Sequence, residues 1–244
     1  MPKERLDVLL VQRGLSESRE QAQRLIRSGT VRIAGQVHTK PGHTYAPDVE
    51  ISVDEADRFV SRGGEKLEGA FEAFELDVAG QVCLDVGAST GGFTDCLLQH
   101  GAAKVYAVDV GKGQLHWKLR QDPRVVVMER INARALSPEQ FPEQPAFAVA
   151  DVSFISLTKI LPAMDKVLAP GSGILTLVKP QFEAGREKVG KGGVVRDGAV
   201  HEEVLAGIRD FGTSTVGWEC KGVCESPLRG PAGNKEFLVW WAKA

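Results

Sequence analysis

A glycine-rich turn between two acidic residues is the part of the sequence best suited to bind a ligand. One apolar run ends at Asp85, and the turn 86–92, which contains three glycines, follows it before residues that can start a helix. A second apolar run ends at Asp109, 24 residues after Asp85. In such strand–turn–helix units the glycines let a ligand approach the backbone, and an acid about 20 residues later contacts a ribose. The pattern favours a cofactor site over an ordinary tight turn.

Two classes of cofactor compete for this turn. A dinucleotide requires Gly-x-Gly-x-x-Gly, because its pyrophosphate rests on bare backbone at a helix N-terminus. The sequence instead reads Asp-x-Gly-x-x-x-Gly-Gly, and the leading carboxylate of Asp85 would repel a pyrophosphate but tolerate a cation. S-adenosylmethionine carries a sulfonium and an ammonium group and no phosphate. The sequence therefore favours S-adenosylmethionine.

Two further charged residues end apolar runs. Asp151 follows the run 146–150, and Lys179 follows the run 174–178. Apolar strands that alternate with helical patterns predict an α/β fold with a parallel sheet covered on both faces. Ligands of such sheets bind outside the carboxyl ends of the strands, where Asp85, Asp109, Asp151 and Lys179 would meet.

The last third of the chain is expected to complete the sheet. A helix is predicted from about 200 to 211, and the strands 216–224 and 237–241 are predicted to form an antiparallel hairpin, with Glu236 on the rim. The glycine-rich, basic segment 181–197 is expected to be a structureless loop, which in a compact domain is usually functional or disordered.

The first fifty residues are predicted to form a small module of two short helices and a small sheet. Ser18 and Gln21 have the spacing of a capping box, and Gly29 is expected to end the second helix. Residues 1–43 hold eight Lys or Arg against four Asp or Glu, whereas the remainder holds 22 against 28. A basic module on an acidic body suggests a polyanionic partner, although surface arginines can also serve solubility alone. An acidic linker is expected over 54–62.

Composition sets the limits of the interpretation. With 244 residues the chain can bury one large core and one small module, and 43% hydrophobic and 25% charged residues are typical of a soluble protein. No apolar run approaches the roughly 18 residues of a membrane span, and the start of the chain lacks a signal-peptide core. The four cysteines have no paired CxxC spacing and no nearby histidine cluster. We therefore expect reduced cysteines, no metal site and a cytoplasmic location.

The N-terminal module resembles the S4 RNA-binding domain over residues 3 to 53. The match is carried by Arg5-Leu6-Asp7, Arg13-Gly14-Leu15, Ser18-Arg19, Ala22 and Leu25-Ile26-x-x-Gly29-x-Val31. In that family the second helix and the following turn face RNA. The resemblance thus implies that the RNA phosphates are contacted by Arg5, Arg13, Arg19, Arg24, Arg27 and Lys40.

From residue 60 onward the chain resembles the ribose 2′-O-methyltransferases of the FtsJ type, and as a whole it resembles the TlyA (hemolysin A-like) family of ribosomal RNA methyltransferases. The matching segments are 61–67, 85–94, 108–111, 151–157, 178–182 and 233–237. The resemblance implies a Rossmann-like class I methyltransferase domain over 59–244, with a seven-stranded, mostly parallel sheet, after an α+β S4 domain over 1–58. It also implies S-adenosylmethionine as cofactor and cytidine 2′-hydroxyls of ribosomal RNA as substrate.

The resemblance also supplies a catalytic tetrad, namely Lys66, Asp151, Lys179 and Glu236. A ribose hydroxyl is a weak nucleophile and must lose its proton as it attacks a methyl carbon. A lysine can accept that proton only if its pKa falls, as a second lysine and partial burial would cause. Our hypothesis makes Lys179 the base, with Lys66 lowering its pKa and stabilising the oxyanion. The two carboxylates would orient the lysines.

Cofactor and substrate contacts follow from the same resemblance. Asp109 is expected to bind the ribose hydroxyls, the glycine turn to surround the methionine end, and Asn132 to lie near the adenine. The full set of expected cofactor residues is Asp85, Gly87, Ala88, Ser89, Gly91, Gly92, Phe93, Asp109, Val110, Asn132 and Asp151. Lys191, Arg196 and Arg229 are candidates for holding RNA near the site.

Three other functions remain as alternatives. The sheet could have lost catalysis and serve an RNA-binding or ribosome-assembly factor, which cofactor binding would contradict. A membrane-acting haemolysin is the second alternative, although the sequence contains no apolar or amphipathic membrane segment. The third is methylation of a base, a reaction that has no use for the lysine pair.

Overall fold

The computed structural model describes residues 2–54 and 58–244. The chain divides into two compact units, Met1–Arg58 and Phe59–Ala244. Of the expected linker over 54–62, residues 55–57 lie outside the described part of the chain.

The first unit packs two helices against short antiparallel strands. Its apolar core contains residues from both helices and from the central strand, among them Leu6, Ile26 and Val31. The strand pairs form a two-stranded sheet, β1–β4, and a three-stranded sheet in the order β3-β2-β5. The elements are β1 (Glu4–Arg5), α1 (Leu6–Gln12), α2 (Arg19–Ser28), β2 (Val31–Ile33), β3 (Gln36–Val37), β4 (Thr44–Tyr45) and β5 (Ile51–Val53).

Helix α2 begins and ends at the predicted residues. The Ser18 hydroxyl accepts a hydrogen bond from the backbone N–H of Gln21 at 3.2 Å. In a standard capping box the Gln21 side chain would accept a hydrogen bond from the N–H of Ser18. Here it accepts from the N–H of the preceding residue, Glu17, at 2.9 Å. Gly29 ends the helix in the left-handed conformation, with φ of 81°.

The second unit is built on a seven-stranded sheet in the order β11-β12-β10-β9-β6-β7-β8. The five strands from β6 to β10 are parallel to one another, whereas β12 runs antiparallel to both β10 and β11. This confirms the predicted α/β architecture and its C-terminal hairpin. The strands are β6 (Val82–Val86), β7 (Lys104–Asp109), β8 (Val125–Glu129), β9 (Phe147–Ala150), β10 (Gly173–Val178), β11 (Trp218–Glu225) and β12 (Phe237–Lys243).

Helices cover both faces of this sheet. Side chains of consecutive residues in β6 point to opposite faces of the sheet. Cys83 packs in one apolar cluster with Leu67 and Leu97, and Leu84 packs in the other with Met164. The helices are α3 (Gly63–Phe74), α4 (Gly92–Gln99), α5 (Trp117–Arg120), α6 (Leu161–Val167), α7 (Pro180–Glu183) and α8 (Gly198–Asp210), the last continued by a π-helical segment over Phe211–Val216. Among the described residues, no helix is both long enough and apolar enough to cross a lipid bilayer.

The expectation of a structureless loop over 181–197 is wrong. The segment contains most of α7, a 3-10 turn at Arg186–Lys188 and a bridge between Gly190 and Val194. A distant side chain fixes its second half: the carbonyl oxygen of Asn234 accepts from the N–H of Val195, and its amide group donates to the carbonyl of Gly193, both at 2.9 Å. Local sequence could not reveal a tertiary clamp of this kind.

Candidate active site

Two adjoining cavities lie at the carboxyl ends of the parallel strands. The larger cavity, of about 490 Å³, is lined by Asp109, Val110 and Asn132. The smaller cavity, of about 260 Å³, is lined by Lys66 and Lys179. Both share the walls formed by Gly87, Ser89, Asp151 and Ser153. Three of the four charged residues expected at the strand ends therefore line one continuous region.

The glycine turn passes directly against the end of β9. Gly87 has φ of 88°, and a Cβ atom there would collide with the carbonyl oxygen of Asp151. The carboxylate of Asp109 is fixed by backbone donors, from Ser89 at 2.8 Å and from Gly111 at 2.6 Å. The turn thus holds an acidic side chain at the wall of the larger cavity with a defined orientation.

Asp85 lies beneath the turn and lines neither cavity. Its side chain is fully buried and accepts a hydrogen bond from the Thr94 hydroxyl at 2.6 Å, whereas Oδ1 accepts none from the described residues. Burial raises the pKa of Asp85 to about 7, and the nearby charges of Asp151 and Asp109 add to the shift. The structure therefore does not support direct ligand contact by Asp85. Gly91 also lines neither cavity, because it faces Leu115 and Leu119.

The four tetrad residues come together as two ion pairs. Lys66 Nζ donates to Glu236 Oε2 at 2.6 Å, and Lys179 Nζ lies 2.5 Å from Asp151 Oδ1. Lys179 also donates to the hydroxyl of Ser153 at 2.9 Å. Glu236 is almost fully buried behind Lys66, while the other three members line the smaller cavity.

The hypothesis placed Lys66 near Lys179, with the two carboxylates orienting the lysines. Lys66 contacts Glu236, and Lys179 contacts Asp151 and Ser153, so each positive charge has its own carboxylate. Asp151 Oδ1, although close to Lys179, accepts no directed hydrogen bond in the part of the chain that the structure describes.

The reversed direction of β12 brings Glu236 to the site. Phe237 of β12 pairs with Val178 of β10, so the residue before Phe237 lies beside the residue after Val178. Glu236 and Lys179 therefore lie next to each other at the end of the strands, although Glu236 precedes β12 and Lys179 follows β10. The carboxyl ends of parallel strands and the start of an antiparallel strand meet on the same rim.

A short segment before α3 positions Lys66. A Cβ atom at Gly92 would collide with the Ser61 hydroxyl, so this segment packs tightly on the start of α4. The N–H of Val60 donates to Asp95 Oδ2 at 2.8 Å. These contacts explain why a lysine one turn into a helix is buried against the sheet rather than solvated.

The charge of the site matches a cationic cofactor. Asp85, Asp109 and Asp151 raise the local negative potential, and Oδ1 of Asp151 lacks a directed hydrogen bond. Gly87 lines both cavities, and the absence of a side chain lets the turn pack against the carbonyl of Asp151. Asn132, which caps a 3-10 turn by accepting from the N–H of Arg134 at 3.1 Å, lines the larger cavity as well. The residues present therefore fit S-adenosylmethionine.

Ser153 and Phe154 are among the cavity residues that sequence reasoning missed. Ser153 holds Lys179, and its only sequence signal is a hydroxyl two residues after Asp151 within a matching segment. Phe154 lines the larger cavity with 90% exposure, a φ of 64° and a ring contact to Phe182 at 5.0 Å. No sequence pattern predicts a phenylalanine in that backbone conformation.

The expected RNA-contacting residues of the first unit fall into two groups. Arg5 forms two hydrogen bonds to Asp7 at 2.9 Å, and Arg19 contacts the same carboxylate at 3.2 Å. Arg13 donates to the backbone carbonyls of Val49 and Pro47. In contrast, three cations are exposed and form no ion pair within the described residues, namely Arg24, Arg27 and Lys40. Arg5, Arg13 and Arg19 therefore have a structural role that the sequence did not indicate.

The second unit also carries exposed cations near the site. Arg196 and Arg229 line one depression of about 510 Å³ together with Lys235. Lys191 is exposed but lines none of these cavities. Because Asn234 clamps the segment before Arg196, this basic surface lies beside the turn that precedes Glu236.

Comparison with known families matches both units. Residues 59–243 match the model of the FtsJ-like methyltransferase family, and residues 4–51 match that of the S4 domain. A SAM dependent methyltransferase from Aquifex aeolicus, 18% identical, shares the fold with a TM-score of 0.51 over 76% of this chain and 95% of that chain.

Relatives of high identity cover nearly the whole chain. The 16S/23S rRNA (cytidine-2′-O)-methyltransferase TlyA of Mycobacterium tuberculosis is 51% identical over 97% of this chain and 88% of its own length. Hemolysin A of Brachyspira hyodysenteriae is 46% identical over 96% and 98%. A solved chain from Streptococcus thermophilus that carries a hemolysin name is 50% identical, with a TM-score of 0.77, over 100% of this chain and 90% of that chain.

Proposed function

The chain belongs to the FtsJ-like methyltransferase family, and from this premise we propose that it transfers a methyl group from S-adenosylmethionine to the ribose 2′-hydroxyl of cytidine in ribosomal RNA. The observation that carries the proposal is the convergence of Lys66, Asp151 and Lys179 on one small cavity beside the glycine turn, with Glu236 bound to Lys66. The 51% identical relative is named as a cytidine-2′-O-methyltransferase of ribosomal RNA, which supports the same substrate.

In this proposal the larger cavity holds the cofactor. S-adenosylmethionine supplies a methyl group made electrophilic by its sulfonium. Asp109, already oriented by two backbone donors, would accept from the ribose hydroxyls. Asn132 and Val110 would contact the adenine end, and the backbone of 87–89 together with Asp151 would surround the methionine end.

The smaller cavity would bind the target ribose. Lys179, held by Asp151 and Ser153, would remove the proton of the 2′-hydroxyl when its amine is neutral. Lys66, fixed by the buried carboxylate of Glu236, would stabilise the oxygen as its negative charge develops. Holding the hydroxyl in line with the methyl group lowers the barrier further, because the entropy cost of orienting the two groups is met on binding.

The arginine-bearing S4 unit would bind RNA phosphates. Arg24, Arg27 and Lys40 are the exposed candidates, and Arg5, Arg13 and Arg19 add positive charge around their structural partners. In the second unit Arg196 and Arg229, with Lys191 nearby, would contact the RNA strand that enters the site. A ribosomal substrate implies that the protein acts in the cytoplasm.

The decisive experiment is transfer of a labelled methyl group to ribosomal RNA taken from cells that lack the enzyme, followed by mapping. We expect label on the 2′-oxygen of cytidine and far slower labelling with the Lys179→Ala variant. Label on a base would contradict the proposal. Cofactor binding without any transfer would favour a non-catalytic RNA-binding factor instead.

A further inference from the structure

Three side chains that can bind a metal meet between α3 and α4, and none of them lines the cavities of the active site. Glu68 lies on α3, whereas Cys96 and His100 lie on and directly after α4. Nε2 of His100 is 2.7 Å from Oε2 of Glu68, and Sγ of Cys96 is 3.6 Å from the same oxygen. All three donor atoms lie within 4.8 Å of one another.

One separation, between Cys96 and Glu68, already suits a tetrahedral metal centre, whereas the 2.7 Å hydrogen bond between His100 and Glu68 would have to lengthen. With bond lengths near those of zinc to nitrogen and sulfur, the donor atoms of a tetrahedral site are about 3.3 to 3.8 Å apart. Cys96 and His100 are four residues apart and therefore project from the same side of the helix. The ring of Phe71 packs on His100 at 4.4 Å and holds the imidazole in place. Small side-chain rotations would bring all three donors to one ion.

Burial and charge also favour zinc. Cys96 is fully buried, whereas the side chains of Glu68 and His100 are 15% and 27% exposed, so solvent reaches two of the three residues. A thiolate, a carboxylate and a neutral imidazole together balance the two charges of a Zn²⁺ ion. Thiolate and imidazole ligands select zinc over the hard cations magnesium and calcium.

We propose that Glu68, Cys96 and His100 form a zinc-binding site. Binding replaces the proton of the thiol and leaves the metal coordinated by one sulfur, one nitrogen, one carboxylate oxygen and a water molecule. Sequence spacing does not predict the complete site, because Glu68 lies 28 residues before Cys96 and on another helix. The ion joins α3, which carries Lys66, to α4, which begins at the glycine turn.

The test is metal binding to the full chain, freed of metal by a chelator. We expect one equivalent of Zn²⁺ to bind in competition with a chromophoric chelator, and Co²⁺ to give the near-ultraviolet absorption of a cobalt–thiolate bond. Loss of an outer-sphere partner of a metal ligand costs about 10- to 100-fold in affinity, so Cys96→Ser should cost at least as much and abolish the thiolate band. Cys224→Ser, at a half-buried cysteine on β11, is the matched control and should bind as the parent does.

His100→Gln provides a second variant at a half-buried position, and circular dichroism checks that each variant is folded. The proposal predicts that this variant also loses zinc affinity. It is overturned if the parent binds zinc no more tightly than folded Cys96→Ser or His100→Gln, or if bound cobalt shows no thiolate band. Because the readout is metal binding, the outcome is independent of whether the chain methylates RNA.

Discussion

Each lysine of the active site is held by a carboxylate. Lys179 has Asp151 and Ser153 as partners, and Lys66 has Glu236. The fixed geometry matters more than the charge alone, because proton transfer requires the acceptor within hydrogen-bond reach of the hydroxyl. The roles of the two lysines can therefore be separated by substitution.

Lys179→Ala is expected to lower the rate of methyl transfer by about 10²- to 10⁴-fold, the usual contribution of a positioned base. Cofactor affinity should change little, because Lys179 lines the smaller cavity and not the larger one. Single-turnover transfer and equilibrium cofactor binding measure the two effects. Lys166→Ala, at an exposed lysine of α6, is the control, and an unchanged rate in Lys179→Ala would refute the base assignment.

The raised pKa of Asp85 predicts how the stability of the folded protein changes with pH. Its pKa is raised from 3.8 to about 7, so between these values the folded chain binds a proton that the unfolded chain has lost. Stability should therefore fall as pH rises from about 4 to 7, by about 1.4 kcal/mol per pH unit at the steepest point.

Asp85→Asn removes this ionisation while keeping an acceptor for Thr94. The variant should gain stability relative to the parent as pH rises, and the gain should level off above pH 7. Denaturant unfolding at pH 5 and pH 8 measures it, with the exposed Asp210→Asn as control. An equal stability difference at both pH values would contradict the raised pKa.

At the scale of elements, the site depends on how closely the glycine turn approaches β9. Gly87 has a positive φ and no room for a Cβ atom, whereas Gly80 has a similar φ of 72° with open space around it. Substitutions at the two glycines therefore distinguish the effect of backbone strain, which both would share, from the effect of a steric collision, which only Gly87 would have.

Gly87→Ala is expected to weaken cofactor binding strongly, because the turn must move away from the carbonyl of Asp151. Gly80→Ala should show only the loss of stability that comes from the left-handed backbone. Calorimetric titration with S-adenosylmethionine, beside thermal unfolding of both variants, makes the comparison. Equal cofactor affinity in the two variants would contradict the steric explanation.

Apolar periodicity sufficed to predict the strands and their polar ends, because buried parallel strands are read directly as runs such as 174–178. It could not predict the partners of each charge. Asp85 was expected at the ligand but lies under the turn, since strand-end position does not say which way a carboxylate points. The segment 181–197 was misjudged because its clamp, Asn234, lies some forty residues away. Arg19 of α2 contacts Asp7 of α1, and local sequence does not encode such a contact between helices.

At the scale of the whole molecule, each unit has its own core, and the proposed function assigns RNA affinity to one and chemistry to the other. Arg24 and Arg27 are exposed on α2 without ion pairs among the described residues, so they are free to neutralise phosphates. Arg5 is already paired with Asp7, whose pKa the Arg5 hydrogen bond holds well below its usual range.

Replacing Arg24 and Arg27 together by Ala should weaken RNA binding and flatten its salt dependence. Each lost phosphate contact should reduce the slope of log affinity against log salt by about 0.7 to 0.9. Titrations at several salt concentrations measure the slope, with Arg209→Ala on α8 as the exposed control. A slope unchanged from the parent would exclude these arginines as phosphate contacts.

The antiparallel pairing of β12 with β10 couples correct folding to chemical competence. Trp240 and Trp241 face opposite sides of the sheet, and Trp241 is fully buried. A slip of one residue in this pairing would exchange the two indoles and displace Glu236 from Lys66. A chain with this register error would thus be both poorly packed and inactive. Loss of activity would therefore accompany any such error in strand pairing.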